Sequence, residues 1–302
     1  MTMRQPVRAA DRLSASEVDD VLALAAAAAE VDGVYPLSED VVLRVRAGVP
    51  SPGRHLLSYA GDRLAGYAFL AAADPDDAEG PAGELAVHPH FRRQGHGTAL
   101  LAAAGTGPMR FWAHGDDPGA AVFAERNGFA RARVLWQMRR SLLKPLPDVP
   151  LPDGVTVRVF NPDSDEQRWL DVNARAFAHH PEQGRWTLDD LRTREAEPWF
   201  DPAGFLLAVD VADTLLGFHW TKVHPAAGDD PAIGEIYVLG VDPAGHRHGL
   251  GAALSVAGLR HLADAGLTVS NLYVDESNAG AVALYRRLGF EIYKTDVSYQ
   301  RS

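Results

Sequence analysis

The chain has 302 residues, 46% of them apolar, 23% charged and 8% aromatic, so it can fill hydrophobic cores and is long enough for two ordinary domains. Its 40 acidic against 29 basic side chains give a formal net charge of -11, which repels a phosphate backbone and argues against a nucleic-acid partner. With no cysteine, disulfides, thiolate metal ligands and a cysteine nucleophile are excluded together.

The opening stretch MTMRQPVRAADRL carries charges but no apolar core and no cleavage site, so no secretory signal is expected and the cytoplasm is the expected compartment. The longest apolar run, Val21 to Ala29, is bounded by Asp20 and Glu30 and falls far short of the roughly 20 residues a membrane helix needs. It predicts an ordinary Ala-rich helix, and no membrane partner. Next, LLSYAGDRLAGYAFL predicts a hairpin turning at Gly61-Asp62. From Gly83, GELAVHPHFRRQGHGTALLAAA reads as strand, turn, glycine loop and helix, and FAERNGF from Phe123 leads into an alternating tail, FARARVLWQMRR.

Between Ser141 and Gly154, prolines at 145, 147, 150 and 152 deny backbone donors and favour an extended linker, which divides the chain into domains 1–140 and 155–302. The second half repeats the pattern of the first. Its hairpin lies around Ala212-Asp213, its strand, loop and helix are GEIYVLGVDPAGHRHGLGAALSVAG from Gly234, and LYRRLGF from Leu284 leads into FEIYKTDVSYQ. A tandem duplication is the economical explanation, and the expected class is α/β (α+β), with two mixed sheets flanked by helices.

In each half a glycine loop, Arg92-Arg93-Gln94-Gly95-His96-Gly97 or His246-Arg247-His248-Gly249-Leu250-Gly251, lies just after a strand and just before a helix. Glycines permit close backbone approach and a helix start offers unpaired N–H groups, a combination that suits a pyrophosphate. It is neither a Walker A loop nor the three-glycine dinucleotide fingerprint. The pairs His88 and His90, and His179 and His180, lack metal-ligand spacing, and no Gly-x-Ser-x-Gly marks a hydrolase nucleophile.

Taken with Val-x-Pro upstream of both loops and Asn278-x-x-Ala281-x-x-Leu284-Tyr285-x-x-x-Gly289-Phe290, the chain resembles the GCN5-related N-acetyltransferases (GNAT) over both halves. The resemblance implies acetyl-CoA as cosubstrate. In the second half it implies coenzyme contacts at Leu239, Gly240 and Val241, at His246, Arg247, His248, Gly249, Leu250, Gly251 and Ala252, and at Asn278, Ala279, Gly280, Ala281, Val282 and Ala283. His246 stands where the family usually has Gln or Arg. In the first half the implied contacts are Leu85, Ala86 and Val87, then Arg92, Arg93, Gln94, Gly95, His96, Gly97 and Thr98.

Acetyl transfer to an amine needs a base for the ammonium proton and an acid for the departing thiolate. Glu235, a carboxylate in the apolar strand Ile233 to Val241, suits the base, and a buried ion pair is its bland alternative. Tyr285 suits the acid, with aromatic packing as the alternative; the family pattern favours the catalytic role in both cases. Aligning Asn127-Gly128-Phe129 on Leu288-Gly289-Phe290 puts Ala124 in place of Tyr285, so the first half is expected to hold acetyl-CoA without turnover. Aligned on Val87 and Val241, Glu84 falls opposite Val238 and reads as structural.

The segments EVDGVYPLSE at Glu30, HHPEQGRWT at His179 and GFHWTKVHP at Gly217 are similar to a narrower group of tandem GNAT enzymes that acetylate the cysteinyl amine of Cys-GlcN-Ins. That likeness implies acceptor contacts from Glu39, Glu182, Lys222, Glu235 and Tyr273, a cleft shared between the halves, and a monomer as sufficient. Taken singly, Glu39 also fits a solvated helix charge, Lys222 an edge-strand charge and Tyr273 a core ring with a wet hydroxyl. Two other readings remain open on the sequence: a tandem enzyme for another small amine, such as an aminoglycoside or polyamine, and a non-catalytic acetyl-CoA sensor.

Overall fold

A computed structural model describes residues 6–47, 53–72, 79–178, 181–226, 231–245 and 249–302. The first half runs β1 (Arg8–Ala10), α1 (Ala15–Asp32), α2 (Glu39–Ala47), β2 (Gly53–Ala60), β3 (Arg63–Ala71), β4 (Ala82–Val87), α3 (His96–Ala104), β5 (Met109–His114), α4 (Pro118–Arg126) and β6 (Ala130–Ser141). The second runs β7 (Thr156–Val159), α5 (Pro162–Ala176), α6 (Pro181–Gly184), α7 (Leu188–Glu195), β8 (Phe205–Val209), β9 (Leu215–His224), β10 (Ile233–Val241), α8 (Leu250–Asp264), β11 (Val269–Asp275), α9 (Ala279–Arg287) and β12 (Glu291–Arg301). Local chemistry sets the helix ends. Ser14 and Glu17 form a capping box at the start of α1, and Gly33, at φ 71, closes it in the left-handed region. Asn161 caps α5 ahead of Pro162, and Thr187 with Asp190 forms the capping box of α7.

Two compact units result. The first comprises Met1–Leu135, Asp275–Ser277 and Lys294–Ser302, and the second Trp136–Val274 and Asn278–Tyr293. In the first, β1 to β4 pair antiparallel in sequence order, β5 lies parallel to β4, and the end of β12 runs antiparallel to β5, Asp296 facing His114 and Arg301 facing Met109. In the second, β7 to β10 pair antiparallel, β11 lies parallel to β10, and residues 136–141 of β6 flank β11. Each sheet is therefore completed by the alternating tail of the other half of the sequence. The proline-rich stretch 141–154 lies within the second unit.

Helices cover both faces of each sheet. In the first unit α1 and α2 seat Val21, Leu24, Val41 and Val45 on Leu57, Tyr67 and Phe69. Leu100, Leu101 and Ala124 from α3 and α4 pack with Leu56, Ala68, Val297 and Tyr299. In the second, Trp169 of α5 and Leu191 of α7 pack with Phe205, Phe218 and Trp220, while α8 and α9 pack Leu259, Leu262 and Tyr285 with Ile236, Leu272 and Met138. Trp169 and Trp220 are completely buried.

In both sheets the parallel pair splays apart. β4 pairs with β5 only from Ala82 to Glu84, and β10 with β11 only from Ile233 to Ile236. On β10 a register shift against β9 between Ile236 and Val238 bulges Tyr237 out of the ladder. Among the described residues, the backbone of residues 85–87 and 237–241 is thereby left unpaired on one side, open to a ligand that hydrogen-bonds like a strand. Gly66 faces Val87 and Gly217 faces Val241, so Glu84 opposite Phe69 and Val238 opposite Trp220 hold equivalent register positions.

Candidate active site

Antiparallel pairing of β9 with β10 sets Lys222 directly opposite Glu235 and His224 opposite Ile233. Glu235 is 7% exposed. Its Oε2 is hydrogen-bonded to Nε2 of His224, and its Oε1 makes no hydrogen bond among the described residues. Lys222 does not pair with the carboxylate. Its Nζ lies 4.7 Å from the ring centre of Trp199 and 5.4 Å from that of Tyr237, a cation held over aromatic faces. The Tyr237 hydroxyl accepts from Nε of Arg194 at 3.0 Å, and the Arg194 guanidinium stacks 3.8 Å from the Trp186 ring centre. Burial pushes the Tyr237 phenol up, so it remains neutral. Trp186, Trp199 and Tyr237 thus pack around Trp220 as one aromatic cluster, with the Arg194 and Lys222 cations over its faces.

Tyr285 stands on α9, 7% exposed, its ring edge-on to Phe290 at 5.8 Å. Burial pushes its pKa up to about 12, so the phenol keeps its proton near neutral pH. The Phe290 N–H donates to the Tyr285 carbonyl at 3.0 Å, and the Phe129 N–H donates to that of Ala124 at 3.0 Å, which makes Ala124 the structural counterpart of Tyr285. Glu84 accepts from the Ser38 N–H at 2.7 Å, ahead of α2, and so is spent on structure.

Among the other acceptor positions, Tyr273 on β11 is 48% exposed and its hydroxyl accepts from Nε2 of Gln137 at 3.1 Å. Glu39 is exposed in the first turn of α2, in the first unit. Glu182 lies in α6, and its side chain falls outside the described residues, as do His246, Arg247 and His248 altogether.

Gly249 occupies the left-handed region at φ 85, with open space where a Cβ would stand, and α8 starts without a side-chain cap. The backbone N–H groups of Leu250, Gly251 and Ala252 are therefore available to an anion. Leu239, Gly240 and Val241 line the open edge of β10, and a Cβ on Gly240 would meet the Phe218 ring at 2.6 Å. Asn278 caps α9 by accepting from the Ala281 N–H at 3.1 Å; Ala279, Gly280 and Ala283 are exposed, Ala281 is half-buried, and Val282 packs in the core.

The first unit repeats this cradle around a cleft of about 910 Å³, whose walls include Leu85, Ala86, Val87, Arg92, Arg93, Gly95, His96, Gly97 and Thr98. Gly95, at φ 84, again starts an uncapped helix. Three loop side chains are occupied by the protein itself. Arg92 makes paired hydrogen bonds of 2.7 and 2.6 Å to Asp32, the His96 imidazole meets the Ser58 hydroxyl at 2.8 Å, and Gln94 donates to the His90 carbonyl at 3.1 Å. Besides the exposed Arg93 and Thr98, this loop offers a ligand its backbone. A left-handed glycine, an uncapped helix and an open strand edge fit a pyrophosphate-bearing coenzyme with a strand-like arm in both units.

Residues 167–290 match the family model described as the Acetyltransferase (GNAT) family, and residues 51–131 match an Acetyltransferase (GNAT) domain. Over 297 residues the chain is 58% identical to the mycothiol acetyltransferase of Salinispora arenicola, with 97% of this chain and 95% of the relative covered. It is 56% identical to that of Thermobispora bispora, with 98% and 99% covered. The chain belongs to the mycothiol acetyltransferase family. It is also similar to a solved GCN5-related N-acetyltransferase from Sphaerobacter thermophilus, at TM-score 0.73 and 25% identity over 98% of this chain and 95% of the other. It shares its fold with a tandem GNAT protein from the clavulanic acid biosynthesis pathway, at TM-score 0.70 and 23% identity over 97% and 98%. The expected architecture of two tandem GNAT domains is borne out, and with it an acetyl-CoA-dependent N-acetyltransferase.

His224, Arg194 and Trp199 are not among the residues that the sequence singled out as site candidates. His224 and Trp199 come next to Glu235 and Lys222 only through folding. The signals for His224 were its place within the segment GFHWTKVHP and its position two residues after Lys222 on a strand, hence on the same face.

Proposed function

We propose that the chain transfers acetyl from acetyl-CoA to the cysteinyl amine of Cys-GlcN-Ins, giving mycothiol and CoA. The observation that carries this is 58% identity to a mycothiol acetyltransferase across 97% of the chain. In the proposed reaction Glu235 takes the ammonium proton at Oε1, the amine nitrogen bonds to the acetyl carbon as the carbon–sulfur bond breaks, Tyr285 gives its phenolic proton to the departing sulfur, and the second proton lost by the nitrogen as the amide forms restores the phenol through solvent. Glu39, Glu182, Lys222 and Tyr273 bind the acceptor's hydroxyl and amide groups. The buried Glu235 with one open oxygen and the proton-retaining Tyr285 support these roles.

The second unit is the catalytic one in this reading, and the first holds a second acetyl-CoA without turnover because Ala124 replaces the phenol. The uncapped loop helices and the cleft of about 910 Å³ support a coenzyme in each. The enzyme works as a cytoplasmic monomer. Mass spectrometry after incubation with acetyl-CoA and Cys-GlcN-Ins, an aminoglycoside or a polyamine tests the reading. Acetylated Cys-GlcN-Ins with its thiol still free is expected. Acetylation of another amine alone, or coenzyme binding without transfer, overturns it.

A further inference from the structure

We infer that His224 is the positioning residue for Glu235: its Nε2–H donates to Oε2 of the carboxylate and fixes Oε1 as the atom that takes the acceptor's proton. The inference rests on the proposed acetyl transfer and adds a residue to it. Three observations carry it. First, among the described residues His224 is the one group that hydrogen-bonds Glu235, a carboxylate that is 7% exposed. A buried carboxylate with a single partner takes its orientation from that partner.

Second, the residue directly opposite Glu235 does not do this work. Lys222 faces it across the ladder but lies over Trp199 and Tyr237, while His224, the diagonal neighbour on the same strand face, makes the bond. Lys222 is thereby left to the acceptor and His224 to the base. Third, the bond engages Oε2 alone, and Oε1 has no partner among the described residues. A carboxylate pinned at one oxygen presents the other in a fixed direction, and misplacement of a reacting group by about 1 Å costs on the order of a hundredfold in rate.

Steady-state kinetics of the full chain with acetyl-CoA and Cys-GlcN-Ins test this. His224→Phe keeps a flat ring and removes the donor; kcat is expected to fall about 10- to 100-fold while KM for both substrates stays within about twofold. His224→Gln, which keeps an N–H in nearly the same place, is expected to recover most of that loss. Combining His224→Phe with Glu235→Gln is expected to lower kcat no further than Glu235→Gln alone, because His224 acts through Glu235. An unimpaired kcat in His224→Phe, a rise in KM alone, or a fully additive double variant overturns the inference.

Nitrogen-15 NMR of the histidine rings in the unmutated chain provides a reading that needs no stable variant. A proton on Nε2 of His224 is expected, and a bare lone pair there overturns the assignment. If the unmutated chain acetylates no Cys-GlcN-Ins, the functional reading fails and the inference falls with it. If it does so while His224→Phe is unimpaired, only the inference falls.

Discussion

Glu235 and Tyr285 are equally buried, each 7% exposed, but burial serves them differently. A carboxylate out of water needs a donor, which His224 supplies; a neutral phenol loses less on leaving water and holds its proton more tightly. Glu235→Gln is expected to lower kcat by about 10²- to 10⁴-fold in the acetyl-transfer assay, the usual worth of a general base. Tyr285→Phe is expected to lower kcat by about 10- to 100-fold with KM little changed. Because the Tyr285 pKa is pushed up to about 12, that loss should be the same from pH 6 to pH 9. In the first unit His114 carries a different consequence. Its Nε2 is 3.4 Å from Glu84 and its Nδ1 3.3 Å from Asp296; burial opposes its charge, but the two carboxylates prevail and its pKa is pushed up to about 9. A raised pKa stabilises the fold fully below the unfolded value of 6.5 and loses that contribution as pH rises through 9. The thermal midpoint of the native chain should therefore fall between pH 7 and pH 10, and His114→Gln should flatten that slope.

At the scale of elements, the two glycine loops are the clearest case of local sequence dictating local conformation. Gly95 and Gly249 take φ 84 and φ 85, and each begins a helix with no side-chain cap. Their repeated spacing was legible because the requirement is local: a left-handed residue favours glycine, and free N–H groups require that no Ser, Thr or Asp cap them. A Cβ at Gly249 would meet open space, so Gly249→Ala tests conformation alone. It should cost about 1–2 kcal/mol of local stability and raise KM for acetyl-CoA several-fold, read by thermal melts and initial rates. The matching Gly95→Ala should weaken acetyl-CoA binding at the proposed first-unit site in calorimetry while sparing kcat. What the loop sequence concealed is the occupation of its side chains. Arg92 reads as a phosphate ligand, yet Asp32, sixty residues earlier, holds its guanidinium. The bulge at Tyr237 was equally silent, since it exists only as a register shift against β9.

For the whole molecule, the exchange of tails decides what can fold. Val297 and Tyr299, 0% and 6% exposed, belong to the core of the first unit although they are encoded at the far end of the chain. Each buried side chain of this size contributes about 1.5–3 kcal/mol, a large share of the roughly 5–15 kcal/mol by which a domain is stable. Residues 1–140 expressed alone should consequently bind a hydrophobic dye and show poorly dispersed amide resonances. A chain ending at Tyr293 should show the same defect confined to its first unit, visible as early proteolytic cleavage between residues 6 and 135.

The sequence by itself determined the repeat, the hairpins, the glycine loops and the tandem acetyltransferase architecture, and it singled out Glu235 and Tyr285 as the candidates for the proposed proton transfers. All of these are written in spacing over a few residues or in segments shared with relatives, and both survive without knowledge of distant contacts. Only the tertiary structure decided which sheet each tail completes, that Arg92 is held by Asp32, that Lys222 rests on Trp199 and Tyr237, and that His224 orients Glu235. An alternating tail carries the same pattern whichever strand it pairs with, and a charged side chain chooses its partner from whatever folding brings within a few ångströms. Neither choice is encoded in local periodicity.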